Sequence, residues 1–420
     1  MEKIDDELMK ILYLSHILNI HDFRFLDKLV SNNHDVLLVA IDNNKISKEI
    51  SNIDGLKHVL IPRPLPKHSL KYFLSPVSII LAIKHILYRM IENTAFLNKY
   101  LNRRTIIRHY EFRFPYYQNR LSKIIKTFKP DVLHSGWVQL DGLVAELTGF
   151  KPILQMPWGS DILINPFKSE DYLDQTQFVI DGASHITCDC EQVKKIILDI
   201  ADFDKDKITV IPWGIDLMLF NPKRIKPDII DRLDWQDKRV IITTRTLSAL
   251  YGIHFFIMAL PAIIEQEPNT RVLIIGSGPQ KKELKELVSG LELNEHVHFV
   301  GTIPNDQLAY YLNSAEIYVS TSKSDGSSLS LLEAMACGLP LVVSDIPAIC
   351  EWVQNGFNGY IVPLNKVKPI SEKILMLFKD KDMASKMGKI NLEIAKERAD
   401  WNKNFLKLEK IYEDLSIINN

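Results

Sequence analysis

The amino-acid sequence predicts an α/β protein with two domains, each built on a parallel, doubly wound sheet. The chain has 420 residues, which exceeds the size at which a single hydrophobic core usually stops growing. Short apolar runs typical of strands buried on both faces alternate with amphipathic stretches typical of helices. A segment of weak periodicity that contains prolines, residues 217–237, interrupts this alternation and suits a linker between domains.

In the N-terminal half, the alternation begins with a predicted strand at 11–15 and a predicted helix at 23–32. A basic segment, residues 66–128, is predicted to be mostly helical. The further predicted strands are 35–41, 131–136, 152–158, 185–190 and 208–214, and the helices between them are 140–149 and 191–201. This order of strands and helices is the βαβ rhythm of a parallel sheet.

In the C-terminal half, the same rhythm resumes after the linker. The predicted strands are 239–245, 271–276, 296–301, 315–320 and 340–345, and the helices include 254–266, 279–290 and a final amphipathic helix at 404–415. We expect domains at 1–216 and 217–399, with the tail 400–420 packing back on the first. Two open sheets of this kind face each other across a cleft, and ligands bind at the carboxyl ends of their strands.

Composition excludes several classes of function. The formal net charge is −1, which argues against a nucleic-acid-binding protein, because such domains carry a clear basic excess. The four cysteines form no CxxC pair and are interpreted as small apolar fillers. The acidic N-terminus does not resemble a signal peptide, and no apolar run approaches the ~20 residues of a membrane span. A cytoplasmic location is the expectation.

Charge is concentrated in one part of the chain. Between Arg63 and Lys129 the sequence contains fourteen Lys or Arg and only two acids, Glu92 and Glu111, with apolar and aromatic residues interleaved. This region indicates either solvated helix faces or peripheral contact with an anionic partner, such as the inner face of a membrane or a diphosphate-linked lipid.

The segment 322–345 carries the strongest motif. It is predicted to form a loop, a helix that begins near Ser327 and Ser328, and a strand after Gly338. A helix N-terminus preceded by Gly326 suits a phosphate or diphosphate. Carboxylates at Asp325 and Glu333 suit the paired hydroxyls of a sugar or ribose. A structural interpretation is also open, since Ser330 and Glu333 match a capping box and Asp325 suits a turn.

Two further segments have residues suited to an anionic ligand. Arg245 follows the predicted strand 239–245, and its planar guanidinium can chelate a diphosphate. Gly276 and Gly278 form a turn between a strand and a helix that lets a ligand approach the backbone. It is not a dinucleotide fingerprint, because Lys281 occupies the third glycine position.

These motifs together resemble the retaining GT-B glycosyltransferases of family 4, whose pattern is an acid, seven residues, then Glu and Ala-Met-Ala-x-Gly-x-Pro. Here the acids are Asp325 and Glu333, the latter followed by AMACGLP. The first acid is Asp instead of the usual Glu, and Tyr251 stands where the family has a Lys. The resemblance implies two Rossmann-like domains, a nucleoside diphosphate sugar as donor substrate, and no obligatory metal or other cofactor.

The resemblance also implies roles for individual residues. Arg245, Asp325 and Glu333 are expected to be catalytic, with Arg245 binding the donor diphosphate. The remaining donor-site residues implied are Tyr251, Gly276, Gly278, Val300, Gly301, Ile303, Gly326, Ser327, Ser328 and Leu329.

On the acceptor side, two segments at predicted strand ends resemble the family's acceptor loops. Asp161 and His134 are candidates for acceptor contact or proton handling, since a His there could serve as a general base. The other candidates on this side are Trp137, Trp158, Gly159, Ser160, His21 and Arg24.

The sequence therefore favours transfer of a hexosyl unit from a UDP- or GDP-sugar to an acceptor hydroxyl, in cell-surface polysaccharide, glycolipid or lipid-linked glycan assembly. Two alternatives stay open. One is a nucleotide-sugar 2-epimerase, which shares the two-domain plan but needs no acceptor. The other is a non-catalytic nucleotide-sugar-binding subunit, because Asp325 and Tyr251 depart from the family pattern.

Overall fold

The structure is a computed structural model, which describes residues 8–18, 20–42, 45–63, 114–224 and 228–418. By their contacts, the residues form two compact units. The first contains the chain up to Cys188, together with Val193–Val210 and the residues from Leu408 onward. The second contains Asp189–Gln192 and Ile211–Lys407. The chain thus passes into the second unit at Ile211, a few residues before the predicted boundary.

The first unit has a parallel sheet of seven strands in its described part, in the order β3-β2-β1-β4-β5-β6-β7. Its strands are β1 Lys10–Ser15, β2 Asp35–Ile41, β3 Lys57–Ile61, β4 Val132–Ser135, β5 Ile153–Gln155, β6 His185–Cys188 and β7 Ile208–Val210. Most of these are short apolar runs whose residues are buried, as expected for a sheet covered on both faces.

The second unit has a parallel sheet of six strands among its described residues, in the order β10-β9-β8-β11-β12-β13. Its strands are β8 Arg239–Thr244, β9 Thr270–Ile275, β10 Val297–Gly301, β11 Ile317–Ser320, β12 Leu341–Ser344 and β13 Gly359–Val362. Two clusters of buried apolar side chains pack around this sheet and fix the positions of its strand ends.

Helices cover both sheets. Numbered through the described residues, they are α1 Ile20–Ser31, α2 Lys48–Ser51, α3 Pro115–Phe128, α4 Leu143–Leu147, α5 Ser160–Leu163, α6 Glu170–Gly182, α7 Glu191–Ile200, α8 Asp228–Arg232, α9 Ile253–Gln266, α10 Lys281–Gly290, α11 Asn305–Leu312, α12 Leu329–Ala336, α13 Pro347–Cys350, α14 Lys368–Lys379, α15 Lys381–Arg398 and α16 Trp401–Ile418. A π-helical turn, Val138–Gly142, precedes α4.

Several local predictions need correction. The strands β3 and β13 were not predicted, and the linker 217–237 contains the short helix α8. Cys350 is exposed, so it does not fill the core as the other three cysteines do. Most of the basic region 63–129 lies outside the described residues, which include only Arg63 and 114–129 of it. In the described part of the chain, no helix combines the length and apolarity needed to cross a bilayer.

Candidate functional site

The order of the strands in the second sheet reverses between β8 and β11, and the candidate donor site lies at that point. From β8 the strand order runs one way through β9 and β10, and from β11 it runs the other way through β12 and β13. The loops that leave two such strands diverge, which opens a crevice at their carboxyl ends. Arg245 follows β8 directly, and the loop 321–328 follows β11.

Arg245 is the centre of this site. Its guanidinium pairs with the carboxylate of Asp325 and donates hydrogen bonds to the hydroxyls of Ser328 and Ser330, the latter at 2.6 Å. The guanidinium also lies 4.1 Å from the centre of the Tyr251 ring. Only 8% of the residue is exposed, and its Nε–H has no hydrogen-bond partner among the described residues. One donor of a buried cation is therefore left for another acceptor.

The charges of Arg245 and Asp325 depend on each other. Burial alone would lower the pKa of Arg245, but the neighbouring Asp325 carboxylate outweighs it and raises that pKa. Burial raises the pKa of Asp325, while Arg245 and the Ser328 hydroxyl oppose this rise. In this structure the Asp325 carboxylate holds the guanidinium in place, and its expected contact with the sugar stays a prediction.

The helix α12 begins as the sequence predicts. Ser328 is its N-cap residue, but its hydroxyl serves Arg245 and makes no capping hydrogen bond. Ser330 lies inside the helix, so the interpretation of Ser330 and Glu333 as a capping box is wrong. Glu333 is buried in the second turn and Leu329 is half-buried in the first. The first backbone amides of this eight-residue helix have no partner within the helix, and they lie at the helix end that Arg245 contacts through Ser328.

The helix end is equally well defined. Gly338 has a left-handed backbone with φ of +75°, its amide donates to the carbonyl of Met335, and the Leu339 amide donates to that of Ala334. This pair of bonds is a Schellman motif, which stops the helix and starts β12.

Gly326 and Ser327 contact a residue that the sequence did not indicate. The buried carboxylate of Asp189 accepts the Ser327 amide at 2.7 Å, and the Ser327 hydroxyl donates to the Asp189 carbonyl at 2.6 Å. A side-chain carbon at Gly326 would lie 2.2 Å from the Asp189 carboxylate, so any larger residue there would displace that carboxylate. Burial raises the pKa of Asp189 to about 6.

The two glycines after β9 let two loops approach each other. A Cβ at Gly276 would lie 2.2 Å from the carbonyl oxygen of Arg245, and one at Gly278 would lie 2.4 Å from that of Leu247. The Leu247 amide donates to the Ser277 carbonyl at 3.0 Å. The absence of side chains at these glycines thus allows the loop after β9 to pack against the backbone of Arg245 and Leu247, and the predicted approach of a ligand to them stays a prediction.

The predicted base-contacting residues lie at the end of the adjacent strand β10. Gly301 has a φ of +85°, and a Cβ there would meet nothing within 4 Å. Its carbonyl accepts the amide of Gly276 at 2.8 Å. Val300 and Ile303 are half-buried against the core. The roles expected for these three residues stay predictions.

In the first unit, His134 does not lie where a substrate could reach it. It is fully buried, stacks on Tyr13 with ring centres 4.5 Å apart, and shares a hydrogen bond between Nδ1 and the hydroxyl of Tyr412 in α16. Burial lowers its pKa to about 3, so the imidazole is neutral. The expected role in acceptor contact or proton handling is therefore replaced by a structural one.

Asp161 is also buried and supports the backbone. Its carboxylate accepts the amide of Trp158 at 2.9 Å and that of Val138, at the start of the π-helical turn, at 3.1 Å. Gly159 and Ser160, which lie between Trp158 and Asp161, form the tight entry to α5, with φ of +108° at Gly159. These bonds position the loops that carry Trp137 and Trp158, so Asp161 supports the backbone of this region, and its expected role towards the acceptor stays a prediction.

The remaining acceptor-side candidates lie on or near α1. The His21 ring packs edge-on against Trp158, with ring centres 5.7 Å apart, and burial lowers the pKa of His21 to about 4. Arg24 is half-buried one turn further along the helix. Sequence reasoning missed one neighbouring pair, His16 and Asp141, because 125 residues separate them in the chain.

Comparison with known proteins agrees with this geometry. Residues 226–393 match the family model described as glycosyl transferases group 1, and residues 99–190 match the one described as glycosyl transferase 4-like. The first match includes Arg245 and the whole of α12.

Two curated relatives illustrate the similarity. The chain is 25% identical to sulfoquinovosyl transferase SQD2 of Arabidopsis thaliana over 312 residues, which are 69% of this chain and 59% of that protein. It is 27% identical to the GDP-mannose-dependent alpha-(1-6)-phosphatidylinositol monomannoside mannosyltransferase of Mycolicibacterium smegmatis over 212 residues, 48% of this chain and 55% of that protein. The aligned part thus spans somewhat more than half the length of these relatives.

Among solved structures, HepE of Anabaena in complex with UDP matches with a TM-score of 0.74 and 16% sequence identity, covering 97% of this chain and 100% of that one. This likeness confirms the predicted GT-B fold, in which each unit is a doubly wound α/β domain.

Proposed function

The chain belongs to the glycosyl transferases of group 1, and from this premise we propose that it transfers a hexosyl unit from a nucleoside diphosphate sugar to an acceptor hydroxyl, with retention of anomeric configuration. One observation carries the donor part of the proposal. A buried guanidinium, whose Nε–H has no partner in the part of the chain that the structure describes, lies beside the first turn of α12, where the strand order of the second sheet reverses.

The chemistry of these groups suits a diphosphate. As the bond between the sugar and the diphosphate breaks, negative charge accumulates on the departing phosphate. The fixed cation of Arg245 and the amides that open α12 stabilise that charge without having to reorganise. Asp325, Ser328 and Ser330 hold the guanidinium in one orientation, which limits the entropy lost when the donor binds.

The identity of the base is supported by analogy alone. The structural neighbour HepE binds UDP, and one relative is GDP-mannose-dependent. We propose a UDP- or GDP-sugar as donor. Glu333, which is buried in α12, is proposed to accept hydrogen bonds from the sugar hydroxyls.

Donor binding can be tested with Arg245→Lys, which keeps a positive charge for Asp325 but loses the planar fork. Loss of one charge-assisted hydrogen bond removes about 1.5–3 kcal/mol of binding free energy, so the affinity for the donor should fall roughly 10- to 150-fold. Calorimetric titration with UDP, GDP and their sugars measures the change. Arg271→Lys is the matched control, because Arg271 lies at the opposite end of the same sheet and bonds the backbone carbonyls of Pro268 and Thr270.

Transfer itself is tested by incubating each donor with hydroxyl acceptors and identifying the product. We expect a glycoside whose anomeric configuration, read by NMR, equals that of the donor. Inversion would contradict the retaining mechanism alone. Epimerised sugar formed without an acceptor, or donor binding that never leads to transfer, would contradict the proposed function.

The basic region 63–129 motivates a separate proposal about the acceptor, although most of it lies outside the described residues. Its twelve excess positive charges suit an acceptor carried on an anionic membrane. Charge reversal at Arg103, Arg104 and Arg108 should abolish flotation with anionic liposomes. Reversal of the exposed Lys281 and Lys282 in α10 serves as the control, and flotation unaffected by either change would contradict membrane docking.

A further inference from the structure

Lys323 lies in the loop 321–328, which leaves β11 at the candidate donor site. It is the only Lys or Arg of that loop, as Arg245 is of the connection 245–252 that leaves β8. These two segments border the crevice where the strand order of the second sheet reverses. Each segment thus supplies one cation, and Lys323 takes no part in the contacts that hold Arg245.

The backbone of Lys323 has a fixed position where the two segments meet. Its amide donates a hydrogen bond to the carbonyl of Leu250 at 2.8 Å. The Thr321 hydroxyl donates to the carbonyl of Tyr251 at 3.2 Å. Lys323 therefore extends from a point at which the segments are hydrogen-bonded to each other, two residues before Asp325.

The Lys323 ammonium lies where a cation is disfavoured unless an anion joins it. It is 5.4 Å from the centre of the Phe255 ring, in the first turn of α9, and no carboxylate in the part of the chain that the structure describes pairs with it. The N-terminal end of a helix carries a partial positive charge, which repels a cation. Burial and the charge of Lys323 both lower the pKa of the adjacent His254. An anion bound here would relieve both repulsions.

The charge balance of the donor site shows why a second cation matters. Asp325 pairs with Arg245, and the two side chains are 14% and 7% exposed, so a ligand meets a pair that is neutral overall. A diphosphate carries more than one negative charge, and enclosing such a charge without compensation is unfavourable. Lys323 can offset it, because its side chain is flexible and exposed.

We propose that Lys323 is a donor-binding residue, whose ammonium contacts the diphosphate and supplies the positive charge that Asp325 offsets on Arg245. The inference rests on the proposed function and adds a second cation to the same site. The two cations contribute differently. Arg245, held by Asp325 and the serines, gives the site its direction, whereas Lys323 gives it net charge that solvent and salt can reach.

The test compares Lys323→Gln with the wild type by calorimetric titration with UDP and GDP. Loss of one charge-assisted hydrogen bond weakens binding about 10- to 150-fold, and the exposure of Lys323 places the expected loss near the lower limit, roughly tenfold. Added salt should weaken binding more steeply in the wild type than in Lys323→Gln, because the variant lacks an exposed cation that salt screens. Lys323→Arg keeps the charge and should retain most of the affinity.

Lys379→Gln is the matched control, since it removes the same charge from an exposed lysine of the second unit. Lys379 ends α14 beside Phe378, whose carbonyl accepts a hydrogen bond from Arg239 at the start of β8, so it lies at the opposite end of the sheet. This variant should leave the affinity and its salt dependence unchanged. Both glutamine variants should keep the Tm of the wild type, because each changes an exposed side chain.

The outcomes separate the inference from the proposed function. A wild type that binds UDP or GDP with the same affinity and salt dependence as Lys323→Gln would overturn the inference alone. Equal weakening by Lys323→Gln and Lys379→Gln would do the same, because the effect would then come from net charge and not from a contact. A wild type that binds neither nucleotide would overturn the proposed donor and the inference with it.

Discussion

Removing the positive charge from Arg245 while leaving Asp325 in place should destabilise the second unit strongly. The two side chains are 7% and 14% exposed, so Arg245→Met leaves a largely buried carboxylate without its partner. Breaking a buried pair in this way costs about 3–5 kcal/mol. For a unit of this size, each kcal/mol corresponds to roughly 2–4 °C in Tm. The expected loss is therefore roughly 6–20 °C.

The double variant Arg245→Met/Asp325→Asn gives the decisive comparison. Replacing a whole buried pair by neutral side chains is often neutral or stabilising, so this variant should unfold close to the wild type. Asp325→Asn alone should cost less than Arg245→Met, because Ser328 and Ser330 still accept hydrogen bonds from the guanidinium.

Differential scanning calorimetry of the four proteins measures the coupling. Leu332→Ala, which removes a fully buried side chain of the second unit, identifies the transition that belongs to this unit. An Arg245→Met variant as stable as the wild type, or costs that simply add in the double variant, would refute the argument that the pair is buried and mutually dependent.

Three further predictions follow from single contacts. Gly276→Ala places a Cβ 2.2 Å from the Arg245 carbonyl at a φ of +132° and should lose at least about 1–3 kcal/mol in urea unfolding. Gly290→Ala, with nothing within 4 Å, should lose none. Because His134 is neutral when folded, with a pKa of about 3, this one residue should lower the stability of the wild type by about 1.4 kcal/mol for each pH unit below pH 6.5. His134→Phe should therefore show a shallower slope than the wild type in acid unfolding titrations, and an equal slope would contradict the burial argument. The pKa of Asp189 is raised to about 6, so its carboxyl binds a proton more tightly in the folded state than in the unfolded state, and its ionisation above pH 6 opposes folding. Asp189→Asn should therefore be more stable than the wild type above pH 6 and not below pH 4. Thermal melts at both pH values measure this difference, and a gain independent of pH would contradict it.

The strands were predictable from the sequence wherever the sheet covers them on both faces. The two that were missed, β3 and β13, are edge strands. In β3 the first three residues are exposed, so the apolar run that signals a buried strand is absent. In β13 the run begins with a glycine and is only four residues long, which local pattern does not distinguish from a turn.

The site was predictable in its residues and not in its pairings. Arg245 could be located because it follows an apolar strand, and the start of α12 because serines precede a strong helix former. The pairing of Arg245 with Asp325 depends on how two loops that are eighty positions apart in the chain pack together. The periodicity of apolar residues indicates local structure and does not predict contacts between such distant loops. His134 was misjudged for the same reason, since its burial depends on Tyr13 and Tyr412.

The two sheets share a physical feature at the point where the strand order reverses, between β1 and β4 in the first and between β8 and β11 in the second. Each places a cationic or basic side chain after the first central strand and a buried carboxylate after its neighbour, as Arg245 with Asp325 and as His16 with Asp141. Burying such groups opposes folding even when they are paired, and apolar side chains would pack there at lower cost. Perturbed ionisable groups of this kind cluster at functional sites. The stability that each unit loses by keeping its pair is therefore best explained by chemistry at the ends of its central strands. In the second unit the chemistry that we propose is the neutralisation of a diphosphate.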